Sequence, residues 1–334
     1  MLGQHNYQKN LNFLKKLAED KDWRLDFEIV DKSLGKDNPR FFYFPFFTSS
    51  GEELFFKSCL WGRMKLRKRI IKEFKLVKWL GELGGPVKEI KDFGENGEVF
   101  WYVSNYLSLE EGIVCREENI DLLKLADIDR LASRLVWLWG IKKETIPLDL
   151  KPYIYLPNRE RGIFPGAYRR IEKYLKTLKG AFRVPQVDWK PVDEAKTRAF
   201  FKNLKNEILS FENGQGLLVH GDLAPNNIFF APQRVVFFDW ESAYWSDNLL
   251  LSLGVDLANF YTRCWVRPEL GERLIKGVAS SLFGKKNCFS KALKIAIVFS
   301  VLEKMAPMFK QGFYKKKYDQ DHFEWLIKTL RENI

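Results

Sequence analysis

Two helices are predicted early in the chain from apolar residues at helical spacing. A short helix over 10–19 and a long helix over 63–83 each carry an apolar stripe. The stripe residues are Leu11, Leu14 and Leu17 in the first helix, and Ile70, Phe74, Val77 and Leu80 in the second. The sequence Gly84-Gly85-Pro86 follows the long helix and is a typical helix stop.

Aromatic and β-branched runs predict two β-hairpins on either side of the long helix. The first joins strands at 41–48 and 53–59. The second joins strands at 90–93 and 99–107 around Asn96-Gly97, a pair that suits a tight turn with positive φ. The first 107 residues therefore predict a mostly β lobe with one major helix.

Beyond residue 107 the pattern becomes helical. Helices are predicted at 120–139, 166–179 and 192–211 and again after 240, with one strand–loop–strand segment at 216–240. We therefore predict an α+β chain of two lobes. A small β-rich lobe with one major helix would span 1–107, and a larger, mostly helical lobe would span 108–334.

Composition limits the class of protein. The chain has 334 residues, a length that suits two domains or one large bilobal domain. The hydrophobic fraction of 46% excludes wholesale disorder. The start is polar and lacks a secretory core, and no apolar run approaches the roughly 18 residues that span a bilayer. The cysteines have no C-x-x-C spacing, so neither a zinc site nor a disulfide framework is indicated. We expect a cytoplasmic protein; its oligomeric state stays open.

A net charge of +12 raises the alternative of nucleic-acid binding. The positive excess lies in two blocks. Residues 61–91 contain 10 basic and 3 acidic residues, and residues 273–334 contain 13 basic and 5 acidic residues. Charge runs on helices are usually solvated faces, and no nucleic-acid motif accompanies these. We therefore expect no specific nucleic-acid partner.

The segment 216–241 carries the candidate chemistry. An apolar strand leads into His220-Gly-Asp222, and an Asn follows that Asp by five residues. A second Asp, Asp239, ends another apolar strand. If the intervening hairpin turns about Gln233, Asn227 faces Asp239, and two oxygen ligands converge as Mg²⁺ prefers. Asp222 precedes the hairpin and can accept a proton from a hydroxyl, as phosphoryl transfer requires.

These residues resemble a known family. His220-Gly-Asp222-Leu-Ala-Pro-Asn-Asn227 with Phe238-Asp239-Trp-Glu241 is similar to the aminoglycoside phosphotransferase and choline kinase family, which has a bilobal protein-kinase-like fold. The resemblance implies that Asp222 is the catalytic base and that Asn227 and Asp239 bind Mg²⁺. Asn226 is the competing amide, and the five-residue offset favours Asn227.

The resemblance also implies two supporting residues and an ATP or GTP co-substrate. His220 would brace the catalytic loop, and Asp256 would tether its backbone. An Asn/Asp-rich turn between strands is the structural alternative for the whole segment.

The first lobe offers candidates for the nucleotide site. Lys57 lies within an apolar strand, and Glu73 lies on the apolar stripe of the long helix, where a carboxylate needs a partner. The resemblance implies that this pair holds phosphates and that backbone near Asn105 and Tyr106 contacts adenine. An edge-strand Lys beside a solvated Glu is the alternative.

One element departs from the protein-kinase pattern. No G-x-G-x-x-G is present, and the phosphate-covering loop would lie at 33–37 or at a tighter turn closer to Phe41.

We therefore predict a small-molecule kinase that transfers the γ-phosphoryl group of ATP or GTP to a hydroxylated substrate. A catalytically silent, ligand-binding member of the fold is the alternative. Residues 273–334 hold few carboxylates, which disfavours a polycationic aminoglycoside as acceptor. A protein-kinase activity is disfavoured because no Ala-Pro-Glu segment follows Asp239.

Overall fold

The structure is a computed structural model of the chain. It describes residues 2–34, 41–59, 63–155, 195–200, 203, 216–246, 249–281, 286–310 and 317–334. The predicted helix at 166–179 and most of that at 192–211 lie outside these ranges. The chain divides into two compact units, one of Met1–Ile113 with Val236–Glu241 and one of Val114–Val235 with Ser242–Ile334.

The first unit contains an antiparallel five-stranded sheet of order β1-β2-β3-β5-β4. Its strands are β1 (Trp23–Arg24), β2 (Phe41–Thr48), β3 (Glu53–Cys59), β4 (Ile90–Glu95) and β5 (Phe100–Asn105). The aromatic run of β2 alternates between the two faces, so Phe42, Phe44 and Phe46 are buried while Tyr43 and Phe47 are exposed. Both predicted hairpins are therefore confirmed, and Gly97 has the positive φ of 79° that its turn was expected to need.

The helices of the first unit are α1 (Leu2–Lys21), α2 (Phe27–Leu34) and α3 (Met64–Glu82). α3 matches the predicted long helix, but the prediction of one major helix is wrong, because α1 is twice as long as the predicted 10–19. Leu14 of α1 and Val30 of α2 are buried in one cluster with Phe44 and Trp101 of the sheet. Burial against the sheet stabilises helical turns that the apolar periodicity of the sequence did not predict.

The second unit is mostly helical, as predicted. Its helices are α4 (Leu125–Trp139), α5 (Lys151–Ile154), α6 (Leu249–Arg263), α7 (Pro268–Ser281), α8 (Lys286–Lys310) and α9 (Lys317–Asn333). Short 3-10 turns span Glu117–Leu122, Lys143–Thr145 and Pro225–Asn227. Helices α6, α8 and α9 share one core that includes Ala258, Val298 and Phe323.

Five further strands are described, and each is short. They are β6 (Ile113–Val114), β7 (Leu217–Val219), β8 (Ile228–Phe230), β9 (Val235–Phe237) and β10 (Tyr244–Ser246). β10 pairs antiparallel with β7, Tyr244 opposite Val219. The sequence did not predict β10, because three residues are too few for a period and the strand depends on its distant partner.

The predicted α+β class, with a β-rich first unit and a mostly helical second unit, is confirmed. Across the described residues, no helix combines the length and apolar character needed to cross a bilayer.

Candidate active site

The first unit holds a buried ion pair at the centre of its sheet. Lys57 of β3 lies between Tyr43 of β2 and Tyr102 of β5. Its Nζ donates hydrogen bonds to both carboxylate oxygens of Glu73, at 2.9 Å to Oε1 and 2.7 Å to Oε2. Both residues are nearly enclosed, with 8% and 2% exposure. The alternative of a solvated Glu73 is therefore wrong.

The surroundings of this pair keep Lys57 protonated. Burial alone would lower the pKa of Lys57, but Glu73, Tyr102 and Asp239 together outweigh it, so the pKa lies well above the ordinary value. Burial raises the pKa of Glu73 against the pull of Lys57. The Tyr102 hydroxyl donates to Glu73 Oε1 at 3.1 Å, which gives the carboxylate a further partner. The pair is thus a fixed positive charge backed by a hydrogen-bonded carboxylate.

Asp239 brings a second carboxylate to Lys57. Its Oδ1 lies 3.1 Å from Lys57 Nζ, and its side chain is 38% exposed. The backbone of Asp239 has a φ of 64°, a left-handed conformation that is uncommon outside glycine. This turn ends β9 and redirects the chain immediately after the strand. Lys57 Nζ therefore lies between one enclosed carboxylate and one partly exposed carboxylate.

Other predicted nucleotide contacts lie at the end of the same sheet. The Asn105 side chain accepts the Glu89 N–H at 2.9 Å, and the Asn105 N–H donates to the Glu89 carbonyl at 3.0 Å. Tyr106 follows, half-buried. Of the predicted phosphate-covering loop, Ser33 and Leu34 end α2, and 35–37 lie outside the described residues.

Sequence reasoning missed Lys88 in this unit. Its Nζ lies 4.0 Å from the centroid of the Phe55 ring and 5.6 Å from that of Phe238. Burial, followed by the charge of Lys57, lowers the pKa of Lys88 to about 8. A cation between two rings leaves no periodic signal, because Phe55 lies on β3 and Phe238 follows β9, far away in the chain.

The second unit holds the loop of Asp222. The buried Asp256 carboxylate accepts the backbone N–H of His220 at 2.8 Å and that of Gly221 at 2.9 Å. Burial raises the pKa of Asp256 to about 7, although the N–H groups of His220 and Gly221 act against that rise. Asp256 belongs to α6, so this helix holds the loop backbone. The buried His220 accepts the Asp222 N–H through Nδ1 at 3.4 Å.

Gly221 is the one loop position where only glycine fits. Its φ is 81°, and a Cβ built there would lie 2.5 Å from the Ser242 carbonyl oxygen. Both the left-handed backbone and the close approach exclude a side chain. The Gly between His220 and Asp222 therefore sets the path of the loop.

Two amides orient the Asp222 carboxylate. Asn259 Nδ2 donates to Oδ1 at 2.9 Å, and Asn227 Nδ2 donates to Oδ2 at 3.2 Å. Asn227 Nδ2 also lies 2.9 Å from the Asp222 carbonyl. Sequence reasoning missed Asn259, although it lies three residues after Asp256 on the same helix. That spacing is the signal that could have found it, because residues three apart share a helix face.

The predicted hairpin register is wrong by one residue. The turn after β8 is closed by paired backbone hydrogen bonds between Ala231 and Arg234, at 2.9 and 3.3 Å. Pro232 and Gln233 thus form a two-residue loop, in which the fixed φ of proline suits the first position. This register aligns Asn227 with Phe238 rather than with Asp239. The pairing of this hairpin therefore does not bring Asn227 and Asp239 opposite each other.

The residues predicted to bind Mg²⁺ have suitable donor atoms. Asn227 uses Nδ2 toward Asp222, and its Oδ1, which accepts a long hydrogen bond of 3.5 Å from Asn226 Nδ2, is the oxygen donor of the amide. Asp239 uses Oδ1 toward Lys57, and its Oδ2 is a carboxylate oxygen on a partly exposed side chain. Amide and carboxylate oxygens are the hard ligands that Mg²⁺ takes.

Sequence comparison decides the family. A profile described as "Phosphotransferase enzyme family" (APH) matches residues 46–284, which is most of the chain. The chain belongs to the phosphotransferase enzyme family. This match confirms the prediction that the protein is a phosphotransferase enzyme of the kinase type. No curated protein matches this sequence.

Solved structures with the same fold include three phosphotransferases. The choline kinase LicA from Streptococcus pneumoniae is 15% identical, with a TM-score of 0.52 over 97% of this chain and 99% of that one. The amicoumacin kinase hAmiN, solved with AMP-PNP and Ca²⁺, is 11% identical, with a TM-score of 0.54 over 96% of this chain and 93% of that one. An aminoglycoside phosphotransferase bound to ADP and hygromycin B is 12% identical, with a TM-score of 0.51 over 96% of each chain. The resemblance seen in the sequence, and the protein-kinase-like fold, are confirmed.

Proposed function

We propose that this phosphotransferase is a small-molecule kinase that transfers the γ-phosphoryl group of ATP or GTP to a substrate hydroxyl, with Asp222 as the catalytic base. The observation that carries the proposal is the double amide clamp on the Asp222 carboxylate, in a loop tethered by Asp256. A carboxylate oriented in this way can align a hydroxyl and accept its proton during phosphoryl transfer.

The nucleotide site is assigned to the first lobe, 1–107. Lys57, kept protonated by Glu73, would neutralise phosphate charge, and backbone near Asn105 and Tyr106 would contact the base. Catalysis and acceptor binding would belong to the second lobe, 108–334, with His220 and Asp256 supporting its loop. Most of the rate enhancement would come from positioning and charge neutralisation.

Mg²⁺ would be held by Asn227 and Asp239, whose oxygen donors suit it. When bound, the ion would neutralise phosphate charge during transfer. The residues of this chain do the remaining work. Lys57 binds phosphate oxygens, and Asp222 orients the acceptor hydroxyl.

The relatives support a small-molecule acceptor. Their names specify choline, amicoumacin and hygromycin B as ligands or substrates, and two were solved with nucleotides. The described cysteines Cys59, Cys115 and Cys264 form no disulfide, which suits the reducing cytoplasm that we propose as the compartment.

A phosphotransfer screen with purified protein tests the proposal. Labelled ATP or GTP with Mg²⁺ is offered with a panel of hydroxylated metabolites, and Asp222→Asn serves as the blank. Asp121→Asn, an exposed carboxylate of the same unit, is the matched control. We expect Asp222→Asn to keep its melting temperature and its nucleotide-induced stabilisation while losing transfer. Asp121→Asn should behave as the wild type.

Two results would count against the proposal. Transfer that survives in Asp222→Asn removes the base assignment. Absence of any stabilisation by millimolar Mg-ATP or Mg-GTP supports the silent alternative, because ligand at 100 times its Kd adds about 2.7 kcal/mol.

A further inference from the structure

A cavity of about 550 Å³ opens beside Asp222 within the second unit. Two helices supply most of its lining at four-residue spacing, so one face of each helix borders it. These residues are Val255, Asn259 and Arg263 on α6, and Ala296, Ser300 and Lys304 on α8. The cavity is therefore a groove between two packed helices, with the catalytic carboxylate at one end.

Two basic side chains line this groove and are fixed by hydrogen bonds. Lys304 Nζ donates to Thr262 Oγ1 at 2.6 Å and lies 3.4 Å from the Asn259 carbonyl. Arg263 Nε donates to Asn259 Oδ1 at 3.3 Å, and its Nη2 lies 4.0 Å from Asp222 Oδ1. Both side chains thus contact Asn259, which itself orients the catalytic carboxylate. Fixed cations bind an anion with little loss of side-chain entropy.

His322 adds a polar group whose ring is nearly enclosed. It is only 7% exposed, stacks on Trp265 at 4.8 Å, and lines the groove. Its Nε2 has no hydrogen-bond partner among the described residues. Burial, together with the charge of Lys304, lowers the pKa of His322 to about 4, so the imidazole is neutral. An unsatisfied buried ring nitrogen is costly, and a bound ligand can satisfy it.

The carboxylates of the groove are poorly placed for a cationic ligand. Among the described lining residues they are Asp222, already held by two amides, and Glu303, which is exposed. Recognition of an ammonium group calls for a free carboxylate or a cage of aromatic rings. Phe299 is the aromatic side chain in the described lining. The inner part of the groove therefore opposes a polycation.

We propose, on the basis of the proposed function, that this groove binds an acceptor carrying both a hydroxyl and an anionic group, a carboxylate or a phosphate. The hydroxyl would lie at Asp222 and the anionic group at Lys304 and Arg263. Lys304 and Arg263 are specificity-determining residues in this assignment. Because Asp222 must receive the hydroxyl, the cations fix the direction in which the acceptor enters.

Matched acceptor pairs test this inference. D-glucuronate is compared with D-glucose, D-glycerate with glycerol, and glycerol 3-phosphate with glycerol, with choline and kanamycin as cationic acceptors. Binding of each compound is measured without nucleotide by titration calorimetry, and transfer is measured with Mg-ATP. Lys304→Met and Arg263→Gln are tested beside Lys294→Met, an exposed lysine of α8 outside the described lining.

We expect at least one anionic member to bind about tenfold or more tightly than its neutral partner, the effect of about one charge contact. Lys304→Met should remove that preference by raising KM while leaving nucleotide binding unchanged, Lys304→Arg should restore part of it, and Lys294→Met should keep it. Arg263→Gln should also weaken the anionic member if Lys304→Met fails to fold.

Tighter binding of choline or kanamycin, or equal binding within every pair, would overturn the inference. So would a preference that survives both Lys304→Met and Arg263→Gln. These outcomes are independent of the proposed function, which fails instead if nucleotide neither binds nor donates phosphate. Anion binding without transfer would support the groove assignment alone.

Discussion

Asn259 Nδ2 donates a hydrogen bond to Asp222 Oδ1 across 2.9 Å, although 37 residues separate the two along the chain. The same helix carries Asp256, which holds the loop backbone through two N–H groups. One helix thus fixes both the path of the loop at 220–222 and the orientation of the Asp222 carboxylate. With Asp222 as the proposed base, Asn259 is assigned as a positioning residue, because it would act on the reaction through Asp222.

Asn259→Ala should lower kcat by about 10- to 100-fold, since a hydrogen bond to a charged group contributes about 1.5–3 kcal/mol. The KM for nucleotide should stay unchanged, which a steady-state assay with varied Mg-ATP would show. Asn259→Asp places a second carboxylate beside Asp222 and should move the acid limb of the pH–rate profile upward. If Asn259→Ala instead weakened nucleotide binding and lowered thermal stability while kcat stayed unchanged, a positioning role would be contradicted.

Lys57→Met should destabilise the first unit by about 3–5 kcal/mol, because it leaves the buried Glu73 carboxylate without its cation. The double variant Lys57→Met/Glu73→Gln should recover much of that loss, since a neutral amide still accepts the Tyr102 hydroxyl. Nucleotide binding should be lost in both. Urea unfolding gives the stabilities, and equal stability of the single and double variants would refute a buried, charged pair.

Gly221→Ala should destabilise the second unit by more than Gly97→Ala destabilises the first. Both glycines have positive φ, at 81° and 79°, and share that backbone strain of about 1 kcal/mol. Only at Gly221 would the new Cβ meet a backbone atom, Ser242 O, because nothing lies within 4 Å at Gly97. Thermal melts of the two variants compare the costs. Equal shifts in Tm would show that the close approach contributes nothing.

His322 should contribute a fall in the stability of the second unit between pH 6.5 and pH 4, whereas the raised pKa of Asp256, about 7, contributes a rise over the same range. The folded pKa of His322 is about 4, against an ordinary value of about 6.5, so the unfolded chain binds the proton first. The contribution of neutral His322 to the free energy of unfolding is therefore complete above pH 6.5. It is lost as the pH falls, by up to about 3 kcal/mol at pH 4. Unfolding at several pH values should therefore show the wild type losing up to about 3 kcal/mol relative to His322→Gln between pH 6.5 and pH 4. An identical slope in both proteins would place the titration elsewhere.

Much of the fold followed from local pattern. The strands at 41–48 and 53–59 and the helix near 63–83 were predictable, because alternating aromatics and a helical apolar stripe each bury one face. The full length of α1 was not, since its first turns depend on the sheet that Leu14 packs against. Strand β10 was missed for a related reason, because it forms only by pairing with the distant strand β7.

The sequence by itself determined the chemistry that we propose for this protein: a base, two oxygen ligands, a strand lysine and a helix glutamate, all carried by residue types at short spacings. Only the tertiary structure decided how these groups are held. The hydrogen bond from Asn259 to Asp222 and the basic groove at Lys304 arise from elements that are far apart in the chain and pack together in the fold. Local periodicity reports which face of an element is buried, and it carries no information about which distant side chain will meet that face.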